Sequence, residues 1–237
     1  MNASNSASYR RRTSCWFGWV VVACGLVVAS EVAWSAALAQ ERQPAAQPTT
    51  TTDKELPLRD DAGVLAVGAR PELVLDQAAG EGPAWDPRLG LLFSGSDGHI
   101  YQLDPQGKLQ VFRRDAKSNG LLFDRDGRLL ICEQGHRRIA RLNLRGRHEV
   151  LTATFNEQPY NSPNDVTVDS KGRIYFSDPR YGDRSDMKQV DQQGRPVEGV
   201  YRIDPNRKVT RIIAHEVDRP NGLLVTPDDR YLYVADN

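Results

Sequence analysis

Four residues stand where they could do chemistry together: Glu81, Asn119, Asn164 and Asn221. Each opens a run of the same character, in Glu81-Gly82-Pro83-Ala84-Trp85-Asp86, Asn119-Gly120-Leu121-Leu122-Phe123-Asp124, Asn164-Asp165-Val166-Thr167-Val168-Asp169 and Asn221-Gly222-Leu223-Leu224-Val225-Thr226. Together they offer one carboxylate and three carboxamides, the oxygen donors that hard cations such as calcium choose. No His or Cys shares the register, which makes the set unsuited to zinc or copper. Asn and Gly are also ordinary turn residues. The argument for a common site is that the register coincides four times, with a glutamate leading.

The elements that must position these residues are short and alternate between apolar and polar. Leu91-Leu92-Phe93, Ile100 to Leu103, Ile139 to Leu142, Ile174-Tyr175-Phe176 and Val200 to Ile203 fit half-buried strands, and Asp-Gly, Asp-Pro, Gln-Gly and Lys-Gly pairs between them supply turns. No stretch sustains a 3.6-residue period, so the fold class is all-β. The four openings are spaced 38, 45 and 57 residues apart, and the longest interval holds a polar insertion from Arg180 to about Glu198. Four strands per unit at such a period is the signature of propeller blades, whose innermost strands line a central tunnel. About three and a half blades are expected in residues 69–237, since the chain stops in the second strand of its fourth unit. The expectation is therefore a C-terminally incomplete chain.

The motifs Glu-Gly-Pro-Ala-Trp-Asp at 81–86, Ser-Pro-Asn-Asp-Val-Thr-Val-Asp at 162–169 and Arg-Pro-Asn-Gly-Leu at 219–223 resemble the family of gluconolactonases, senescence marker proteins and luciferin-regenerating enzymes. The likeness runs over residues 70–237. It implies a six-bladed propeller with one divalent cation, calcium foremost, and hydrolysis of a sugar lactone or related lactone. Carried over by position, it implies Glu81 and Asn221 as metal ligands and Asn164 as a substrate contact that also completes the metal shell. Asn119 falls in a blade where members vary and is carried as a substrate contact. The family's remaining residue, a catalytic aspartate in a Pro-Asp-Gly motif, is expected beyond Asn237. Asp236 is in the wrong register to replace it. Cys132-Glu133-Gln134-Gly135-His136-Arg137-Arg138 resembles a Cys-Glu-His-Gly-x-Arg-Arg run of bacterial members, with Gln134 where that run has His.

The remaining sequence narrows partners and compartment. Lys and Arg total 31 and so do Asp and Glu, a balance that favours neither nucleic acid nor an anionic membrane. Arg10, Arg11 and Arg12, the apolar run Trp16 to Ser30 and Ala37-Leu38-Ala39 read as a signal peptide over residues 1–39. An uncleaved anchor and lipid attachment at Cys24 stay open as alternatives. Residues 40–68, rich in Ala, Pro, Gln and Thr, read as a disordered linker. The protein is thus expected to be exported, periplasmic or extracellular, and free of the membrane after cleavage. Cleavage would leave Cys132 alone, inside an apolar run, as a buried core residue. The absence of a Gly-x-Ser-x-Gly elbow disfavours a covalent acyl-enzyme. The rival readings are a phosphotriesterase or other esterase on the same propeller, and a non-catalytic binding propeller.

Overall fold

The computed structural model describes residues 63–236 apart from positions 67, 71, 77, 79 and 144. The leader, and the linker as far as residue 62, lie outside the described residues. Residues 63–76 belong to a separate unit and form no strand among those described. The second unit, from residue 77 onward, is built of β-strands with no α-helix among its described residues.

Three sheets have four antiparallel strands each, in simple sequential order. The first holds β1 (Glu81–Asp86), β2 (Gly90–Ser94), β3 (Ile100–Leu103) and β4 (Leu109–Arg113). The second holds β5 (Leu121–Phe123), β6 (Leu129–Glu133), β7 (Arg138–Leu142) and β8 (His148–Thr152). A small hairpin of β9 (Thr154–Phe155) and β10 (Gln158–Pro159) leads to the third sheet. That sheet comprises β11 (Val166–Val168), β12 (Ile174–Asp178), β13 (Gly199–Ile203) and β14 (Val209–Ile213). A two-stranded sheet of β15 (Pro220–Val225) and β16 (Leu232–Asp236) follows. The first strands β1, β5, β11 and β15 are successive neighbours. This is propeller architecture, one meander per blade with its first strand innermost. Every strand expected from the alternation forms, and the polar insertion is the link between β12 and β13.

The turns follow from side-chain chemistry. The first carboxylate oxygen of Asp124 accepts the N–H groups of Asp126 (3.0 Å) and Arg128 (2.9 Å), and Asp169 does the same for Lys171 and Arg173. An aspartate that satisfies the two amides of its own turn sets where each hairpin reverses.

The core lies between the sheets, with one cluster at each junction. Leu129 and Ile131 of β6 join Ala84, Leu92 and Ile100 of the first sheet. Leu130 and Cys132, on the other face of the same strand, join Val166, Phe176 and Tyr201 of the third. Tyr175 and Val200 pack against Leu223, Val225 and Val234 of the last. A strand buried on both faces cannot alternate polar with apolar, which is why Leu129-Leu130-Ile131-Cys132 reads as an unbroken apolar run. Cys132 is a free, fully buried thiol, and desolvation pushes its pKa well up.

Candidate functional site

The inner strands approach one another more closely than side chains would permit. A Cβ placed on Gly82 would lie 2.1 Å from the Asn119 carbonyl oxygen, and one on Gly120 would lie 2.5 Å from that of Asn164. Glycine after Glu81 and after Asn119 is therefore demanded by the next blade's backbone, not only by a local turn. Gly120 N–H donates to the Asn164 carbonyl at 2.7 Å. The hydroxyl of Ser94, at the end of β2, donates to the Asn119 carbonyl at 2.6 Å, and Ser177 in β12 repeats this onto Asn221 at 2.7 Å. Each of the three asparagines thus has its backbone held by the preceding blade.

The third unit departs from the pattern, with Asp165 where the others have glycine. Its N–H donates to Ser177 Oγ at 3.0 Å, and its Oδ2 accepts Leu223 N–H at 2.7 Å. The carboxylate reaches the next inner strand, β15, through that bond. Burial raises its pKa above the ordinary carboxylate value against two backbone hydrogen bonds. Sequence reasoning passed over this residue, although its departure from Glx/Asn-Gly was a visible signal.

Glu81 keeps contact with solvent, yet the protein behind it desolvates the carboxyl enough to raise its pKa; the Asn119 hydrogen bond opposes this and the charge of Asp165 adds to it. The Nδ2 of Asn119 donates to Glu81 Oε1 at 2.8 Å and to Gln134 Oε1 at 3.4 Å. Asn221 Nδ2 donates to the Tyr181 hydroxyl at 2.6 Å. Asn164 is 3 % exposed, and its carboxamide makes no hydrogen bond among the described residues. Of the four residues singled out by register, the structure brings Glu81 and Asn119 into direct contact. Asn164 reaches them through its backbone and through Asp165, and Asn221 enters through Tyr181.

Beside Glu81 opens a cavity of about 790 Å³, lined from three blades. Glu81, Ser94 and Asp97 come from the first, Lys117, Ser118, Gln134 and Arg137 from the second, and Asn161, Ser162, Arg180 and Tyr181 from the third. Glycines complete the lining, together with Ser96; no Val, Leu, Ile, Met or Phe contributes. Asn119, Asn164 and Asn221 are not part of this lining. Gln134, which occupies the place of a histidine in the resembled run, lies on the wall; His136 faces away, its Nε2 3.1 Å from the Asp115 carbonyl oxygen.

The third-blade wall rests on a buried carboxyl. Asp178 is fully buried, and its two oxygens accept the N–H groups of Asn161 (2.8 Å) and Ser162 (2.7 Å). Burial pushes its pKa up from 3.8 to about 7, against those two bonds and the charge of Arg137. The folded chain therefore holds this proton more tightly than the unfolded chain. Its contribution to stability is complete below about pH 4 and is lost as pH rises through about 7. Urea unfolding is expected to show stability falling between about pH 4 and 7, with a flatter profile in Asp178→Asn. Equal slopes in the two proteins would contradict the assignment.

The donors left over are of the type a hard cation takes. Glu81 Oε2, Asn119 Oδ1 and Asn221 Oδ1 accept no hydrogen bond among the described residues, while the amide groups of both asparagines donate to other acceptors. Two carboxylates, Glu81 and Asp165, lie within electrostatic reach and both bear a desolvation cost, which a divalent cation would relieve. No three His, Cys, Asp or Glu side chains group together among the described residues. A cation here would thus depend on carboxamide oxygens beside Glu81.

Comparison with known proteins agrees with this fold. A family model described as "SMP-30/Gluconolactonase/LRE-like region" matches residues 79–237. A gluconolactonase of Zymomonas mobilis subsp. mobilis is 31% identical over 159 residues, covering 65% of this chain and 42% of that protein. The solved structure of a gluconolactonase from Xanthomonas campestris superposes with a TM-score of 0.59 at 33% identity, over 69% of this chain and 56% of that one. Regucalcin of Agrobacterium tumefaciens, described as a calcium-binding protein, shares the fold at TM-score 0.50 and 19% identity, over 67% of this chain and 50% of its own. The chain spans about half the length of these relatives. On the match over residues 79–237, the chain belongs to the SMP-30/gluconolactonase/LRE-like family.

Proposed function

We propose that this protein contributes to the cation-dependent hydrolysis of a polyhydroxylated lactone, a sugar lactone in preference to an apolar one. The observation that carries the reading is the cavity wall. Serines, carboxamides and charged groups from three blades surround about 790 Å³ with no branched aliphatic or Phe side chain. Most small-molecule pockets are lined chiefly by apolar groups, so such a wall suits a ligand that offers hydroxyls all round. The relatives named gluconolactonases support the reaction class, and regucalcin supports calcium as the ion.

When bound, a divalent cation polarises a lactone carbonyl and stabilises the oxyanion that forms as water attacks. Glu81 and Asn221 would hold it, with Asn164 completing the shell. The Asn119 amide pins one oxygen of Glu81 and leaves the other for the ion. Ser94, Ser118, Gln134 and Asn161 offer donors and acceptors that orient a ring bearing several hydroxyls. A signal peptide over residues 1–39 would place this work after export, in the periplasm or outside the cell.

The test is acid release from gluconolactone by the full-length protein, including the sequence expected beyond Asn237, before and after chelation. Activity is expected to vanish with chelator, to return with calcium, and to exceed that on an apolar lactone of equal ring size. Hydrolysis undiminished by chelation sinks the cation reading; preference for the apolar lactone sinks the substrate class.

A further inference from the structure

We propose that Tyr181 is a positioning residue for Asn221, turning its carboxamide so that the oxygen rather than the NH2 group faces the tunnel cation. The inference rests on the cation reading above. A carboxamide has two ends of nearly equal shape, and only its partners decide which end points where. A ligand asparagine must present its oxygen. Here the Tyr181 hydroxyl accepts the Asn221 amide at 2.6 Å, which leaves Oδ1 for the ion.

Tyr181 is itself held from several sides. The Arg219 guanidinium lies over its ring, 5.2 Å from the centroid. Arg219 and Asn221 are two residues apart where β15 begins with a bulge. The tyrosine meets both, ring under the guanidinium and hydroxyl against the amide. Its neighbour Arg180 is anchored too, through its N–H to Glu198 Oε1 (2.5 Å) and its guanidinium to Asp186 Oδ2 (3.0 Å). Ring placement therefore does not depend on the hydroxyl. The polar insertion, unreadable as chemistry in the sequence, supplies this residue to both the cavity wall and the candidate ligand.

The experiment is calorimetric titration of the full, metal-free chain with calcium alone. Tyr181→Phe keeps the ring and loses the hydroxyl, and is expected to weaken calcium binding about three- to tenfold, the worth of one net hydrogen bond. Asn221→Asp provides the control that a merely structural role would fail. A carboxylate has two equivalent oxygens and needs no orientation, so in that background Tyr181→Phe should not weaken calcium binding. Equal or tighter binding by Tyr181→Phe overturns the proposal, as does the same loss in both backgrounds. Failure of the parent chain to bind calcium overturns the cation reading and this inference together.

Discussion

Glu81→Gln is expected to lower lactone hydrolysis about 10²- to 10³-fold, the scale seen when one group that stabilises developing charge is removed. The substitution separates charge from hydrogen bonding. Glutamine keeps the length of Glu81 and an oxygen for the Asn119 amide, now at 2.8 Å from Oε1, so the local contact survives. What disappears is the only carboxylate among the four residues in register. The same change should not harm the fold. Desolvation and the charge of Asp165 already raise the Glu81 carboxyl, so its ionised form at neutral pH opposes folding when no cation is bound. In chelator, the melting temperature of Glu81→Gln is expected to equal or exceed that of the parent. Calcium should then raise the parent's melting temperature and leave the variant's nearly still. Hydrolysis within threefold of the parent would remove Glu81 from the site.

Phe176→Ala is expected to cost about 3–5 kcal/mol, the range for deleting a buried aromatic ring. Phe176 has no exposed surface and sits at the junction of the second and third sheets. It meets Tyr160 edge-on at 5.0 Å and stacks on Tyr201 at 5.2 Å, while those two tyrosines meet at 5.2 Å. Removing this ring strips one packed face from each tyrosine. Phe176→Leu should cost less than half as much, because most of the volume remains. Urea denaturation of all three proteins checks the order, and a loss below about 1 kcal/mol for alanine would contradict it. Against the roughly 5–15 kcal/mol typical of a whole domain, the alanine change is severe. It also reaches the site. Residues 177 and 178, next along the strand, hold the Asn221 carbonyl and the loop at 161–162.

Much of this was legible because strand alternation and turn chemistry are local. The apolar run Leu129 to Cys132 marked a buried element, and the Asp-Gly and Lys-Gly pairs marked hairpins; the structure adds that Asp124 and Asp169 satisfy the amides two and four residues away in those turns. The register of Glu81, Asn119, Asn164 and Asn221 could be read too, because one repeating unit puts equivalent residues on equivalent strands. The glycines at 82 and 120 were read as turn residues, and only the approach of the next blade's carbonyls shows why no side chain fits.

By itself, then, the sequence determined the strands, the repeat and the four residues that share a register, since each rests on a period or a spacing within one unit. Tertiary structure decided which donors meet and which of their atoms remain available. Asn119 spends its amide on Glu81 across 38 residues, Asp165 takes Leu223 across 58, and Tyr181 takes Asn221 across 40. Such pairings follow from the angle and distance between neighbouring blades. Those are set by side chains packing across the junctions, which no local pattern of hydrophobic and polar residues encodes.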